Sequence, residues 1–318
     1  MKQMEHESPA AMKRISIGVR IKKELYQNRI LYIMAIPIIV YFLLFCYLPM
    51  FGLIIAFKDY SIAKGIFGSE WVGFKHFINF FQGVYFTRTL RNTLLISFYE
   101  ILFGFPAPII FALLINELTS TKFKKVVQTI TYLPHFISLV VICGMITDFF
   151  SANGLITQLI DKFGGENINY IGSANYFRRI YVGTGIWQGI GWGSIIYLAA
   201  LSGIDQQLYE SASIDGAGKF RQIWHITLPG IMPTVIILLI MRVGQILNVG
   251  YEKIILLYTP ATYETADVIS SFVYRRGLEE SNQYSFSAAV GMFSSVTNLI
   301  VLVVANRFSR AMSETSLF

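Results

Sequence analysis

Residues Ile30 to Phe57 form an apolar run without a single charged side chain. About 20 such residues in a helix cross the ~30 Å hydrocarbon core of a bilayer. Inside that core every backbone N–H and C=O must be bonded within the protein, which leaves helices or a closed barrel. Five further runs follow, at about 88–116, 126–150, 179–203, 231–251 and 286–307, so the sequence predicts six spanning helices. Composition agrees, since 54% of the 318 residues are hydrophobic and only 14% are charged, against about 25% charged in soluble domains. That balance excludes an ordinary soluble enzyme, a disordered chain, a collagen-like repeat and a disulfide scaffold. The first run is about twice the core of a secretory signal and no small-residue cleavage site follows it, so it is expected to be a span. Pro37 and Pro49 are expected to lengthen or kink it, because neighbouring helices can satisfy the backbone groups that prolines free.

The charge is placed as a membrane protein places it. Seven of the 26 Lys and Arg lie in the first 29 residues, among them Lys13, Arg14, Arg20, Lys22, Lys23 and Arg29. Basic residues collect on the cytoplasmic side of spanning helices, so the net charge of +7 gives an orientation and no nucleic-acid partner. The N-terminal segment 1–29 is expected in the cytoplasm, the six helices within 30–307, and the tail 308–318 back in the cytoplasm of a multi-pass plasma-membrane protein. Loop 117–125 carries Lys122, Lys124 and Lys125 and, with loop 204–230, falls on the cytoplasmic side. Arg178 and Arg179 on the outer side run against this pattern. Cys46 and Cys143 sit in separate apolar runs and the four His are scattered, so neither a metal site nor a catalytic constellation is predicted.

Two outer segments have helical apolar spacing. Phe74, Phe77, Ile78, Phe81 and Tyr85 read as an amphipathic interfacial helix or as a lid over the bundle, and Val268, Ile269, Phe272 and Val273 repeat the pattern. The long cytoplasmic loop 204–230 is more distinctive. Leu208 and Ala212 suit a short helix, Asp215-Gly216 signals its end, and Phe220, Ile223 and Trp224 suit a second short helix. Pro229 and Pro233 mark its junction with the fifth span. The expected form is a helix–Gly turn–helix hairpin whose small residues leave backbone open to a partner. Its GAGKF stretch (216–220) is no phosphate-binding loop: Ser213 stands where a glycine is needed, and Phe220 where a hydroxyl is needed.

This hairpin carries a family resemblance. Glu210, Ala212, Asp215, Gly216, Ala217, Ile226, Leu228 and Pro229 match the pattern E-A-A-x-x-D-G-A followed by I-x-L-P, the cytoplasmic loop of binding-protein-dependent ABC importer permeases; Ser211 departs from it, small for small. ALLINEL (112–118), YLPHFIS (132–138), GIWQGIGWGSIIYLAAL (185–201) and MRVGQILNVGYEKIILLY (241–258) resemble the carbohydrate branch, more narrowly the lipoprotein-dependent oligosaccharide and polysaccharide permeases of LplB type. The resemblance implies an all-α integral membrane protein with the six-helix type I importer permease fold. It implies that Glu210–Pro229, with Gly218, is the helix that couples transport to an ATPase. It also implies a second homologous permease as heterodimer partner, two copies of a cytoplasmic ATPase holding ATP and Mg, and an extracytoplasmic solute-binding (lipo)protein that delivers an oligosaccharide.

Polar groups inside the spans are costly in lipid and so should face the bundle interior or a watered cavity. Arg242, Gln245, Asn248 and Glu252 recur within a third of the helix circumference, and with Tyr251 they are candidates for the substrate path. Arg242 could instead pair with Glu100. Trp187, Gln188 and Trp192 on the fourth span are further candidates, since an indole can stack on a sugar ring. Gly185, Gly189 and Gly193 make a stripe that would let a helix pack closely. Asn298, Ser294 and Ser295 suit helix packing. An ion-coupled secondary transporter is the alternative class, but no internal repeat supports it. A membrane glycosyltransferase would need a second acidic cluster beside Glu210 and Asp215.

Overall fold

A computed structural model describes residues 26–279, 283–312 and 316–317. The basic cluster from Lys13 to Lys23 and part of the C-terminal tail lie outside the described residues. The chain divides into two compact units, Met1–Ile54 and Ile55–Phe318. The described part of the first holds most of helix α1 (Arg29–Phe57).

Early in the second unit two strands of two residues each pair antiparallel, β1 (Lys58–Asp59) with β2 (Glu70–Trp71). It continues through α2 (Lys75–Gln82), α3 (Phe86–Asn116), α4 (Thr121–Tyr132), α5 (Leu139–Phe150), α6 (Leu155–Lys162) and α7 (Ala174–Ser202). The remainder is α8 (Gln206–Ile214), α9 (Lys219–Val243), α10 (Tyr251–Leu257), α11 (Ile269–Tyr274) and α12 (Tyr284–Met312). Among the described residues, five helical stretches are long and apolar enough to cross a membrane: α1, α3, Leu139–Lys162, α9 and α12. Helix α7, 29 residues long, is also of crossing length. Its glycines, tyrosines and Arg178–Arg179 dilute its hydropathy, and it buries Phe177, Tyr181, Gly191, Ser194 and Tyr197 as a helix packed inside protein does.

Prolines shape the long helices in a regular way. Turns widened to π geometry occupy Phe42–Tyr47, Glu100–Gly104 and Ile223–Thr227, and each ends two residues before a proline, at Pro49, Pro106 and Pro229. A proline gives no N–H to the carbonyl four residues back and its ring crowds that carbonyl. A widened turn such as Phe105 N–H to the Glu100 carbonyl (2.8 Å) carries the chain past the ring. Pro37 lies inside the α-helical part of α1.

Three expectations are corrected. The third span is broken: after α4 and a 3₁₀ turn at Leu133–Phe136, Ile137 and Ser138 are extended, and the Ser138 hydroxyl caps α5 by accepting the Val141 N–H (3.4 Å). Pro134, buried, ends the first half. The fifth span ends at Val243 instead of 251, and residues 244–250 are non-helical. The outer segment at Val268–Val273 is no interfacial helix, because Val268, Ile269 and Phe272 are buried, packed in the core clusters. Helix α2 does form, burying His76 and Phe80 and leaving Phe74, Ile78 and Phe81 exposed.

The cores position the functional elements. Ala112 of α3, Tyr197 and Leu201 of α7 and Ile231 of α9 close the bundle beside the hairpin, while Ile142, Ile146, Phe177 and Ile254 fill the opposite half. The stripe Gly185, Gly189 and Gly193 does not make the tightest helix contact. A Cβ at Gly189 would meet nothing, whereas one at Gly191 would stand 2.3 Å from the Thr131 carbonyl of α4.

Candidate functional site

The loop between α7 and α9 folds as the hairpin its sequence predicts. The Asp205 carboxylate caps α8 by accepting the Gln207 N–H (3.0 Å). The helix carries Glu210, Ser211 and Ala212 and ends at Asp215. Gly216 then takes φ +75°, a left-handed conformation that side-chain-bearing residues rarely adopt, and nothing approaches its open face. Ala217 N–H closes the turn on the Ala212 carbonyl (2.8 Å), and Gly218 stands at the start of the return helix. That return differs from expectation. It is no separate short helix, since Lys219–Val243 is continuous helix and Ile226, Leu228 and Pro229 belong to the same rod as the fifth span. The π turn at Ile223–Thr227 supplies the continuity that Pro229 would otherwise break.

The two arms are locked together. Tyr209 Oη and Thr227 Oγ1 are 2.9 Å apart, and Gln222 Nε2 donates to Ser213 Oγ (2.9 Å) and to the Ala217 carbonyl (3.0 Å). Both Gln222 and Thr227 are buried. Lys219 reaches Glu117 at the end of α3 (3.1 Å). Its exposed side chains include three large apolar ones, Ile214, Phe220 and Trp224, at 87%, 91% and 69% exposure, and Glu210 is exposed as well. A rigid hairpin with a greasy tip and an exposed carboxylate suits docking into another protein, and α9 would carry any displacement into the membrane.

The polar residues beyond α9 are not one helical stripe. Of the four, Arg242 alone lies on α9, and it pairs with Glu100 of α3. Gln245 and Asn248 lie in the unwound 244–250 segment, both exposed. The backbone groups freed by unwinding are satisfied from three sides: Ser97 Oγ donates to the Ile246 carbonyl (2.6 Å), Asn298 Oδ1 accepts the Leu247 N–H (3.0 Å) and Ser270 Oγ donates to the Val249 carbonyl (2.8 Å). Irregular backbone at membrane depth is tolerated where it lines a cavity or is buried in protein. Here it borders a cavity of about 600 Å³ whose wall includes Asn248, Tyr251, Tyr274, Tyr284, Ser294 and Asn298. The Tyr251 and Tyr274 rings stack at 5.7 Å. Aromatic faces beside amides and hydroxyls are the complement of a sugar, which presents C–H faces and hydroxyl edges.

Other candidates fall elsewhere. Trp187 lines a different, more apolar cavity at the far end of α7. Trp192 stacks on His135 (4.5 Å) at the break between α4 and α5, and Gln188 is half-buried on α7. Glu252 is exposed, while its neighbour Lys253, which sequence reasoning passed over, is buried and donates to the Tyr181 carbonyl (3.0 Å) and Thr184 Oγ1 (3.1 Å). Gly185, Gly189 and Gly193 wall a cavity of about 490 Å³ that also holds the Glu100–Arg242 pair. A second polar cluster gave no signal in sequence. Asp267, fully buried, takes a fork from Arg275 (2.7 and 3.2 Å) and single bonds from Arg88 (3.1 Å) and Ser271 (2.9 Å). Beside it Asn92 donates to the Glu264 and Asp267 carbonyls and accepts from Arg178 (2.7 Å). These residues are scattered over three elements, and only tertiary folding collects them.

Comparison with known proteins bears on the whole arrangement. Residues 80–314 match the family described as binding-protein-dependent transport system inner membrane component. Protein LplB of Bacillus subtilis (strain 168) is 43% identical over 302 residues, 95% of each chain. The polygalacturonan/rhamnogalacturonan transport system permease protein YteP of the same organism is 42% identical over 322 residues, 100% of each chain. A chain in the crystal structure of a bacterial alginate ABC transporter, in complex with an alginate pentasaccharide-bound periplasmic protein, superposes with a TM-score of 0.86 at 44% identity. That match covers 94% of this chain and 100% of the other.

Proposed function

The chain belongs to the family of binding-protein-dependent transport system inner membrane components, and from that premise we propose that it is one permease subunit of an ATP-driven importer for an oligosaccharide or polysaccharide fragment. An extracytoplasmic binding protein delivers the sugar. A second, homologous permease completes the path, and two copies of a cytoplasmic ATPase, which hold ATP and Mg, drive it. Both termini and the hairpin face the cytoplasm of a bacterial plasma membrane.

In this reading Glu210–Pro229 docks in the ATPase. Ile214, Phe220 and Trp224 bury against it, and Glu210 meets a basic side chain. Gly216 permits the turn, while Ser211, Ala212, Ala217 and Gly218 keep the surface close-fitting. Motion of the docked hairpin passes along Ile226, Leu228 and Pro229 into α9 and reaches the unwound segment at Asn248 and Tyr251. Those two, with Tyr274 and Asn298, meet the sugar. The observation that carries the proposal is this continuity: one rod joins the exposed hairpin to the cavity's unwound wall. The charge pattern of the loops supports the orientation. Family membership displaces the ion-coupled alternative.

The test is uptake of labelled oligosaccharides by proteoliposomes holding this chain, a sister permease and an ATPase. Uptake is expected to require both binding protein and internal ATP. Uptake driven by a proton or sodium gradient without ATP would overturn the proposal.

A further inference from the structure

Helix α7 ends in the coupling hairpin at one membrane face. Towards its other end it walls a cavity of about 900 Å³ shared with α5 and α6. Most of the wall is carbon, from Met145, Phe149, Ile156, Ile160, Ile180 and Trp187. The polar groups on it are largely committed. Tyr170 Oη donates to the Glu166 carbonyl (2.6 Å), and Thr184 Oγ1 donates to the Ile180 carbonyl (2.6 Å) and accepts from Lys253 (3.1 Å). A sugar would find little to bond.

Arg179 stands apart from this. Its neighbour Arg178 turns to Asn92 and the Thr265 carbonyl, but Arg179 is exposed on the cavity wall, with its guanidinium 5.9 Å from the Tyr176 ring. Trp187 lies eight residues further along α7, about 12 Å at the rise of an α-helix. The cavity therefore has a cation at one end and an apolar lane leading from it along α7. At Gly183, between the two, a Cβ would meet nothing within 4 Å, so the lane is open there. Glu166 also lines the cavity, which disfavours a bare phosphate ion and leaves an apolar body to supply binding.

We propose that this cavity is a phospholipid site on the membrane face opposite the hairpin, with the lipid phosphate on Arg179 and one acyl chain along Phe149, Ile180 and Trp187. Basic side chains between membrane helices hold lipid head groups in this way, and a long cationic side chain reaches the head-group level over an apolar stem. The site gives the two neighbouring arginines of α7 different tasks. One braces the fold and the other holds lipid.

The test uses the full chain in detergent, with Trp71, Trp192 and Trp224 changed to Phe so that Trp187 alone of the 4 tryptophans emits. Phosphatidylglycerol brominated on its acyl chains is the quencher. Quenching is expected to saturate at one lipid per chain and to be indifferent to inorganic phosphate. Arg179→Ala should weaken it by about tenfold, as loss of a charged hydrogen-bond partner does. Arg179→Lys should keep most of it, and Gly183→Leu should abolish it by filling the lane. Quenching that rises with bulk lipid alike in every variant would overturn the site. So would complete protection of Trp187 on assembly with the sister permease, which would give the cavity to a protein helix. If the triple tryptophan variant does not fold, native mass spectrometry of the unaltered chain replaces it. One retained phosphatidylglycerol, lost in Arg179→Ala, is expected there, and equal retention in both chains overturns the proposal.

Discussion

Asp267→Ala should damage the fold more than any exposed substitution. The carboxylate is wholly buried and faces two guanidiniums, whose side chains are 7% exposed for Arg275 and 32% for Arg88. The two arms are not equal. Arg88 can turn to water, so losing that pair costs at most ~1 kcal/mol, as exposed pairs do. Arg275 is buried and also bonds Tyr258 Oη (3.4 Å), and breaking a buried pair of this kind by removing one member costs about 3–5 kcal/mol. At roughly 2–4 °C per kcal/mol for a chain of some size, the melting midpoint should fall by on the order of 10 °C. The assay is thermal melting of the detergent-solubilised chain at fixed scan rate, read as loss of the monodisperse peak on size exclusion. Arg275→Met in the same chain removes the other half of the pair, so the double variant should lose less than the sum of the two single losses. A single variant that melts with the parent would refute the reasoning, as would a double variant lower than either single by the full sum.

Other outcomes follow from the packing and the cavity. Gly191→Val sets a Cβ 2.3 Å from the Thr131 carbonyl and should cost about 1–3 kcal/mol by overpacking; Gly189→Val, facing open space, is the control in the same melting assay. Asn298→Leu strips the Leu247 N–H of its acceptor and should destabilise by about 1–3 kcal/mol, with hydrogen exchange rising first in residues 244–250. Tyr251→Ala should raise the apparent KM for sugar uptake about tenfold through loss of an aromatic contact, while co-purification with the ATPase stays intact.

The elements that were legible in the sequence are those whose cause is local. Apolar runs gave the spans, and Asp215-Gly216 gave the hairpin turn, because a left-handed residue after a helix end is a glycine signal carried by the chain itself. Pairing of Arg242 with Glu100 was among the expectations because a lone charge in lipid needs a partner. What escaped depends on distant residues. The fifth span unwinds after Val243 because Ser97, Ser270 and Asn298 from three other elements take over its backbone bonds, so Gln245 and Asn248 looked like helix positions when read alone. The break at Ile137–Ser138 joins a buried proline to a serine cap, signals too common to stand out within an apolar run. Val268 and Phe272 have the spacing of an interfacial helix, and it is packing against distant residues such as Phe80, Leu247 and Val290 that makes that segment part of the core. Trp187 and Trp192 share a helix five residues apart, yet face different neighbours, which spacing alone does not separate.

In the proposed function the hairpin passes ATPase motion to the cavity. The direct measurement is ATP hydrolysis by the reconstituted complex, with and without sugar-loaded binding protein, for the parent chain and for Glu210→Lys with Gly216→Val. A valine at φ +75° is strained by about 1–2 kcal/mol, enough with the reversed charge to spoil docking without disturbing the spans. Stimulated hydrolysis is expected in the parent, and stimulation reduced at least about tenfold in the variant, equivalent to some 1.4 kcal/mol of lost coupling. Full stimulation in a variant still assembled with its partners would contradict it.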